Sequence, residues 1–186
     1  MSDAIEVVVD GTDGAGKTPC VEHLADRLER RGLRVASHAP YREREVYPLW
    51  EAAPQRAART IAGVMSRFRA AHRDAEVIVW DRGWPTAFVS TDVSSARSLF
   101  HPLPAVTILL LNTMERTRDT ARRHPQAGVW ATDEALVRRY SAAYHHLEAP
   151  AGHTVLRFAP DDAWMFDLEG IGQSLWRALQ GIVVER

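Results

Sequence analysis

The residues best suited to chemistry lie near the start of the chain, in the stretch DGTDGAGKT at positions 10–18. Residues 11–18 fit the pattern G-x-x-x-x-G-K-[ST] in full, between an apolar run at 5–9 and a helical pattern. Glycines let a backbone wrap around phosphate groups, and the N-terminus of the following helix adds a favourable dipole. The pattern supplies an ammonium for the β- and γ-phosphates and a hydroxyl for Mg²⁺. It therefore predicts a nucleotide-binding loop made of Gly11, Thr12, Asp13, Gly14, Ala15, Gly16, Lys17 and Thr18.

Arginine replaces lysine almost everywhere in this chain, and the exception falls in the loop. Of the 23 lysine and arginine residues, the one lysine is Lys17. A planar guanidinium cannot replace a compact ammonium that must enter a loop and contact two phosphates at once. The position of the lysine therefore favours a phosphate contact over an ordinary surface role.

A second pair of charged residues, Asp81 and Arg82, follows the apolar run at 76–80. The carboxyl ends of parallel strands open onto the ligand crevice of an α/β sheet. An aspartate there can hold Mg²⁺ or accept a proton from an attacking oxygen, and an arginine can bind a phosphate through two N–H groups. We therefore expect phosphoryl transfer at this edge, with Thr18 and Asp81 as the metal ligands.

Apolar runs of strand length alternate with helical patterns along the chain. The most continuous of them read as strands that are covered on both faces. The runs cover residues 5–9, 34–39, 76–80, 106–111 and 154–159. The helical patterns cover a helix closed by Gly32 and the segments 49–71, 114–123, 133–147 and 161–179. This alternation predicts one three-layer α/β domain over residues 1–186, in which helices flank a five-stranded parallel sheet.

The composition argues against several functional classes. The net charge of −1 does not suggest a surface for nucleic acid or anionic membranes. The single cysteine, Cys20, cannot form an internal disulfide and suits a reducing compartment. No apolar run approaches the ~20 residues of a membrane span, and the early first strand leaves no room for a signal peptide. We therefore expect a soluble, cytoplasmic protein.

The remaining motifs narrow the class of phosphate-binding protein. A GTP-binding switch reads guanine with an N-K-x-D sequence, which this chain lacks because Lys17 is its only lysine. Motor and remodelling ATPases carry an acidic pair after a later strand, where this chain has Trp80-Asp81-Arg82. A small kinase that uses ATP and Mg²⁺ fits better.

Over most of its length the chain resembles thymidylate kinase and related nucleoside and nucleotide kinases. GTDGAGKT is similar to the opening motif G-x-[DE]-G-x-G-K-[ST] of that family, including the acid Asp13, and WDRG is similar to its D-R-[YH] motif. The resemblance implies a P-loop NTPase fold with a short lid at about 122–133, and a homodimer. It also implies transfer of a phosphoryl group from ATP to a nucleoside monophosphate, namely dTMP or a related or modified pyrimidine nucleotide.

The resemblance further implies roles for individual residues. Gly83 stands where the family has an aromatic residue, so Trp84 or Phe88 is expected to replace that ring. The residues expected to contact the acceptor are Asp13, Arg42, Arg67, Arg82 and Trp84. The residues expected to act in catalysis are Lys17, Asp81, Arg82 and the lid arginines Arg118, Arg122 and Arg123.

The sequence leaves the acceptor open. One alternative is a nucleoside kinase or a biosynthetic small-molecule kinase on the same scaffold. An acceptor without a phosphate would gain little from guanidiniums at Arg42, Arg67 and Arg82. Another alternative is an ATP-binding regulatory subunit without turnover, which would bind ATP tightly and release no ADP in response to an acceptor.

Overall fold

A computed structural model describes residues 4–46, 49, 52–91, 99–100, 103–123, 134–160 and 166–184 of the chain. Most of the lid predicted at 122–133 lies outside these residues. The strands are β1 Ile5–Gly11, β2 Val35–His38, β3 Val77–Asp81, β4 Val106–Leu110 and β5 Thr154–Phe158. The helices within the described residues are α1 Lys17–Glu29, α2 Pro54–Ala71, α3 Trp84–Thr91, α4 Met114–Arg123, α5 Glu134–His145 and α6 Leu168–Val184. A short 3-10 turn, Pro40–Arg42, follows β2.

The five strands form one parallel sheet in the order β2-β3-β1-β4-β5. Strand β1 is central, so Val7 pairs with Val79 on one side and with Val106 on the other. Strands β3 and β4 are buried along their whole length, whereas β2 and β5 at the edges are only partly covered. The apolar runs therefore identified the sheet correctly, because central parallel strands must be apolar on both faces.

Helices cover both faces of the sheet, as the sequence predicted. Alternate side chains of a strand point to opposite faces. Val7 and Val9 pack with α1 and α6, while Val8 and Trp80 pack with α2, α3 and α5. The chain thus forms an α/β structure of three layers, whose core lies on both sides of β1.

Two predicted helices have different limits in the structure. The helix predicted over 49–71 is interrupted at Ala53, which has φ −154° and ψ 73°, and α2 begins at Pro54. Proline disfavours helical dihedral angles in the residue before it, which accounts for the break. The helix predicted from 161 begins only at Leu168, where the N–H of Gly170 donates to Asp167 Oδ1 at 2.9 Å. Asp167 therefore caps this helix, and residues 161–165 lie outside the described part.

Cys20 on α1 is fully buried, and burial raises the pKa of its thiol to about 12. A thiol in this environment packs and does not react. Among the residues that the structure describes, no helix has the length and hydropathy needed to cross a membrane.

Candidate functional site

The charged residues singled out in the sequence lie at the carboxyl edge of the sheet. The loop 11–18 follows β1, Asp81 ends β3, and the turn Pro40–Arg42 follows β2. Because all strands are parallel, the connections that leave them meet at one edge. Helix α4 follows β4 at the same edge and lies against the loop 11–18.

The loop 11–18 has a backbone that requires glycine at defined positions. Gly11, Gly14 and Gly16 all have positive φ, at 130°, 69° and 73°. A Cβ atom on Gly11 would lie 2.1 Å from the carbonyl oxygen of Leu110, and one on Gly14 would lie 2.4 Å from Cγ2 of Thr120. The glycines therefore let the loop turn from β1 into α1 while it touches β4 and α4.

The ammonium of Lys17 is folded back into this loop. The side chain is 6 % exposed, and Nζ donates to the carbonyl oxygens of Gly11 and Thr12 at 3.1 and 2.7 Å. Burial, followed by repulsion from Arg82, lowers the pKa of Lys17 from 10.5 to about 8, although Asp13 opposes the shift at 3.8 Å. An anionic ligand in the loop would favour the charged form of this amine.

Thr18 and Asp81 form a pair of oxygen donors beside the loop. The Thr18 hydroxyl donates to Asp81 Oδ2 at 2.5 Å, and Asp81 is buried. Arg42 reaches the same pair, with Nη2 at 2.7 Å from Thr18 Oγ1 and 3.9 Å from Asp81 Oδ2. The described residues contain no group of three His, Cys, Asp or Glu side chains that could hold a metal. A carboxylate and a hydroxyl nevertheless fit Mg²⁺, which usually takes one or two carboxylates together with substrate phosphates and water.

Arg82 and Asp13 contact each other, although the sequence analysis assigned each of them to the acceptor. Arg82 Nη2 donates to Asp13 Oδ1 at 2.5 Å. Burial alone would lower the pKa of Arg82. The charge of Asp13 and other acidic groups outweighs burial, so the net effect is a raised pKa. Asp13 Oδ2 and Asn112 Oδ1 are buried and have no hydrogen-bond partner among the described residues. These two acceptor atoms beside the loop suit a ligand hydroxyl or a water molecule.

Two other predicted acceptor residues lie away from this group. Trp84 is 1 % exposed, and its indole N–H donates to Thr107 Oγ1 at 3.2 Å, so the ring belongs to the core. Arg67 lies on the exposed surface and pairs with Glu45 at 2.5 Å. The structure thus gathers Asp13, Lys17, Thr18, Arg42, Asp81 and Arg82 at one place, and it places Arg67 and Trp84 elsewhere.

The three arginines predicted for the lid lie on α4. Arg122 and Arg123 are exposed, and Arg123 pairs with Asp119 at 2.5 Å. Arg118 lies one helical turn earlier on the same helix. Thr120 on the same helix lies against Gly14, so α4 adjoins the loop.

The sequence analysis missed a buried carboxylate that adjoins the loop. Asp10 is fully buried at the end of β1 and accepts hydrogen bonds from Gly11, Gly83, Thr86 and Tyr144. The available signal was a carboxylate placed between the three valines of the strand and the first glycine of the loop. Such a residue needs hydrogen-bond donors wherever it is buried.

Two further residues of the site were also missed. The backbone N–H of Asn112 donates to Thr12 Oγ1 at 2.7 Å, and its side-chain amide donates to the carbonyl oxygen of Asp13 at 3.1 Å. Asn112 therefore fastens the loop to the end of β4. Tyr41 donates its hydroxyl proton to the carbonyl oxygen of Gly83 at 2.7 Å, and burial raises the pKa of this phenol.

Comparison of the sequence with models of protein families gives no match, and comparison with curated proteins gives none either. Membership of the thymidylate kinase family therefore stays a prediction, and the geometry at the carboxyl edge of the sheet is the basis for a proposed function.

Proposed function

We propose that this chain is an ATP- and Mg²⁺-dependent phosphotransferase with a P-loop NTPase fold. Its acceptor is a nucleoside monophosphate, namely dTMP or a related or modified pyrimidine nucleotide. The observation that carries the proposal is the buried Lys17 ammonium inside a glycine-rich loop, adjacent to the Thr18–Asp81 pair. Arg42 and Arg82 stand beside the same group.

The loop 11–18 and Lys17 would bind the triphosphate of ATP. In the structure, the Lys17 ammonium contacts the carbonyl oxygens of Gly11 and Thr12, which are neutral. The first turn of α1 carries no acidic residue, and its N-cap Gly16 provides no side-chain hydrogen bond. The β- and γ-phosphates would therefore supply the negative charge that favours both the ammonium and the helix N-terminus.

Thr18 and Asp81 would hold Mg²⁺ through the hydroxyl and the carboxylate oxygen. Bound there, the metal would neutralise charge on the phosphate oxygens. Asp81 is buried beside Arg42, so its carboxylate is kept in place by the protein. The two oxygens are already 2.5 Å apart, which limits the rearrangement needed to present them together.

Two arginines near the glycine-rich loop favour an acceptor that carries its own phosphate. The Arg42 side chain is 69 % exposed, and it can turn toward an anion in the crevice. Arg82 is largely buried, and Asp13 holds it against the loop. Phosphoryl transfer depends mainly on positioning and charge neutralisation. A neutral alcohol would leave Arg42 with only the distant charge of Asp81 at 3.9 Å, whereas a monophosphate would pair with its guanidinium directly.

The proposal is tested by measuring ADP release from Mg·ATP across nucleosides, their monophosphates and modified pyrimidine nucleotides. We expect release with at least one pyrimidine monophosphate and little release with the matching nucleoside. The Lys17→Ala variant serves as the control for contaminating kinases. Release with nucleosides alone would favour the nucleoside kinase. ATP binding without acceptor-dependent release would favour the regulatory subunit.

A further inference from the structure

We propose that Asp10 is a positioning residue, whose carboxylate holds the Asp81–Arg82 turn in register with the glycine-rich loop. Through this contact Arg82 keeps its backbone conformation, and its guanidinium stays on Asp13. The inference rests on the proposed function in one respect, namely that Arg82 takes part in phosphoryl transfer. The contacts themselves do not depend on that assignment.

The first observation is the number of donors that surround the Asp10 carboxylate. Oδ1 accepts from the N–H of Gly11 at 2.8 Å, from the hydroxyl of Thr86 at 2.6 Å and from the hydroxyl of Tyr144 at 3.0 Å. Oδ2 accepts from the N–H groups of Gly83 and Thr86, both at 3.0 Å. One fully buried side chain therefore ties the start of the loop to α3 and to α5.

The second observation is the backbone of Arg82. Among the described residues, Arg82 is the one non-glycine residue with positive φ, at 74°. Its own N–H donates to the carbonyl oxygen of Val9 at 2.9 Å, and the next N–H, that of Gly83, donates to Asp10 Oδ2. Consecutive residues of β1 thus hold the peptide groups on both sides of Arg82. A strained conformation persists only where its surroundings fix it in this way.

The third observation concerns the first turn of α3, which follows Arg82. Gly83 precedes this helix and has no side chain with which to cap it. A larger residue would not fit there, because a Cβ atom would lie 2.8 Å from Cγ2 of Val8. Asp10 supplies the cap from β1, because it accepts the N–H of Thr86 in the first turn. A carboxylate at a helix N-terminus satisfies a free donor and also interacts favourably with the helix dipole.

A carboxylate is the side chain that this environment requires. Both oxygens of Asp10 receive donors, and three of those donors, on Gly11, Gly83 and Thr86, are backbone N–H groups that cannot reverse their role. Asparagine at position 10 would direct an NH₂ group at one of the two sets of donors. The Asp10→Asn substitution should therefore release either the Arg82 turn or the contacts to Gly11 and Tyr144.

The chain offers a matched control in Glu6. It lies on the same strand and the same face, and it is also buried. It accepts two hydrogen bonds from Arg69 and one from Trp80, toward the opposite end of the strand. Glu6→Gln and Asp10→Asn both remove one buried negative charge from β1. Only Asp10→Asn disturbs the carboxyl edge.

The first arm of the test measures ADP release from Mg·ATP with the acceptor that gives the highest rate of release. We expect Asp10→Asn to lower kcat by about 100-fold, the cost of a displacement of about 1 Å in a reacting group. The KM of Asp10→Asn for ATP should stay within about threefold of the wild-type value. The kcat of Glu6→Gln should also stay within about threefold of the wild-type value, because no reacting group is displaced in that variant. Equal losses of kcat in the two variants would overturn the inference.

A double-mutant cycle shows whether Asp10 acts through Arg82. Arg82→Asn removes the guanidinium and tolerates positive φ better than most residues. In that background, adding Asp10→Asn should change kcat less than about threefold, because the positioned group is already absent. If Asp10→Asn lowers kcat equally in the wild-type and Arg82→Asn backgrounds, Asp10 does not act through Arg82.

The last arm does not depend on activity. Amide hydrogen exchange of Gly83 and Thr86 should accelerate in Asp10→Ala, which removes both acceptor oxygens, and stay at the wild-type rate in Glu6→Ala. Unchanged exchange of these two amides in Asp10→Ala would refute the contacts. If Asp10→Asn does not fold, Tyr144→Phe serves in its place, because it removes one donor and keeps the charge of Asp10. This variant should lower kcat about threefold to tenfold. In the Arg82→Asn background it should leave kcat unchanged. If the wild-type chain releases no ADP with any acceptor, the proposed function fails, while hydrogen exchange still decides the role of Asp10.

Discussion

The affinity of this chain for Mg·ATP should fall as the pH rises from 7.5 to 9. The group responsible is Lys17, whose pKa is lowered from 10.5 to about 8 by burial and by repulsion from Arg82. Its ammonium is the buried cation inside the glycine-rich loop. If the loop binds a triphosphate, the ligand binds the charged form of Lys17 better than the neutral form.

The size of the effect follows from the fraction of Lys17 that is charged in the free protein. Below pH 8 most molecules carry the ammonium and bind with full affinity, and above pH 8 this fraction falls about tenfold per pH unit. The apparent Kd is the intrinsic Kd divided by the competent fraction, so it should increase about eightfold between pH 7.5 and pH 9. A bound triphosphate would raise the pKa of Lys17, so binding near pH 8 should also take up protons.

The assay is a titration with a fluorescent ATP analogue and Mg²⁺ at several pH values, with Lys17→Met as the matched control. The variant cannot titrate at this position and should bind weakly at every pH. Other buried groups near the site do not interfere, because the pKa of Cys20 is about 12 and burial raises those of Tyr41 and Tyr144 above their usual value. A flat profile in the wild-type chain, or the same slope in Lys17→Met, would refute the role of Lys17.

Three further predictions concern charged residues of the site. Lys17→Ala should lower the rate of ADP release by about 100-fold or more while the circular dichroism spectrum stays native, and near-normal activity would refute the assignment of the loop. Arg42→Ala should strengthen Mn²⁺ binding, measured by electron paramagnetic resonance, because the guanidinium competes for Thr18 and Asp81; weaker Mn²⁺ binding would contradict this. Arg82→Ala should raise the KM for a phosphorylated acceptor more than the KM for ATP, and an effect confined to ATP would move Arg82 to the donor side.

The sheet and the loop could be predicted because their signals are local. A central parallel strand needs mostly apolar side chains on both faces, so β1, β3 and β4 appear as nearly continuous apolar runs. The glycine-rich loop is also local, since its three glycines with positive φ fall within a few residues. The break at Ala53 was missed, although its signal is also local, because the residue before a proline is disfavoured in a helix.

The contacts of Asp10 could not be predicted, because they join distant parts of the chain. Tyr144 lies 134 residues away and Thr86 lies 76 residues away. Spacing along the sequence carries no information on such pairs until the topology is known. The same holds for Arg82 and Asp13, which are 69 residues apart and pair because β1 and β3 are neighbours.

Side-chain direction limited the other assignments. Trp84 follows the Asp-Arg pair directly, so the sequence places it at the carboxyl edge, but its ring turns inward to Thr107 on β4. Arg67 lies on α2, where a change of one position moves a side chain by about 100° around the helix. It therefore faces Glu45 and solvent. Position along the chain predicted where the backbone of these residues lies, but it did not predict the direction of their side chains.

The most direct test of the account is a calorimetric titration of Mg·ATP into the folded chain at pH 7.5, in parallel with Lys17→Met. We predict one saturable site per chain in the wild-type protein and much weaker binding in the variant, with both proteins unfolding cooperatively. Absence of binding in the wild-type chain, or equal binding in the two, would contradict the claim that this loop and its lysine hold a nucleoside triphosphate.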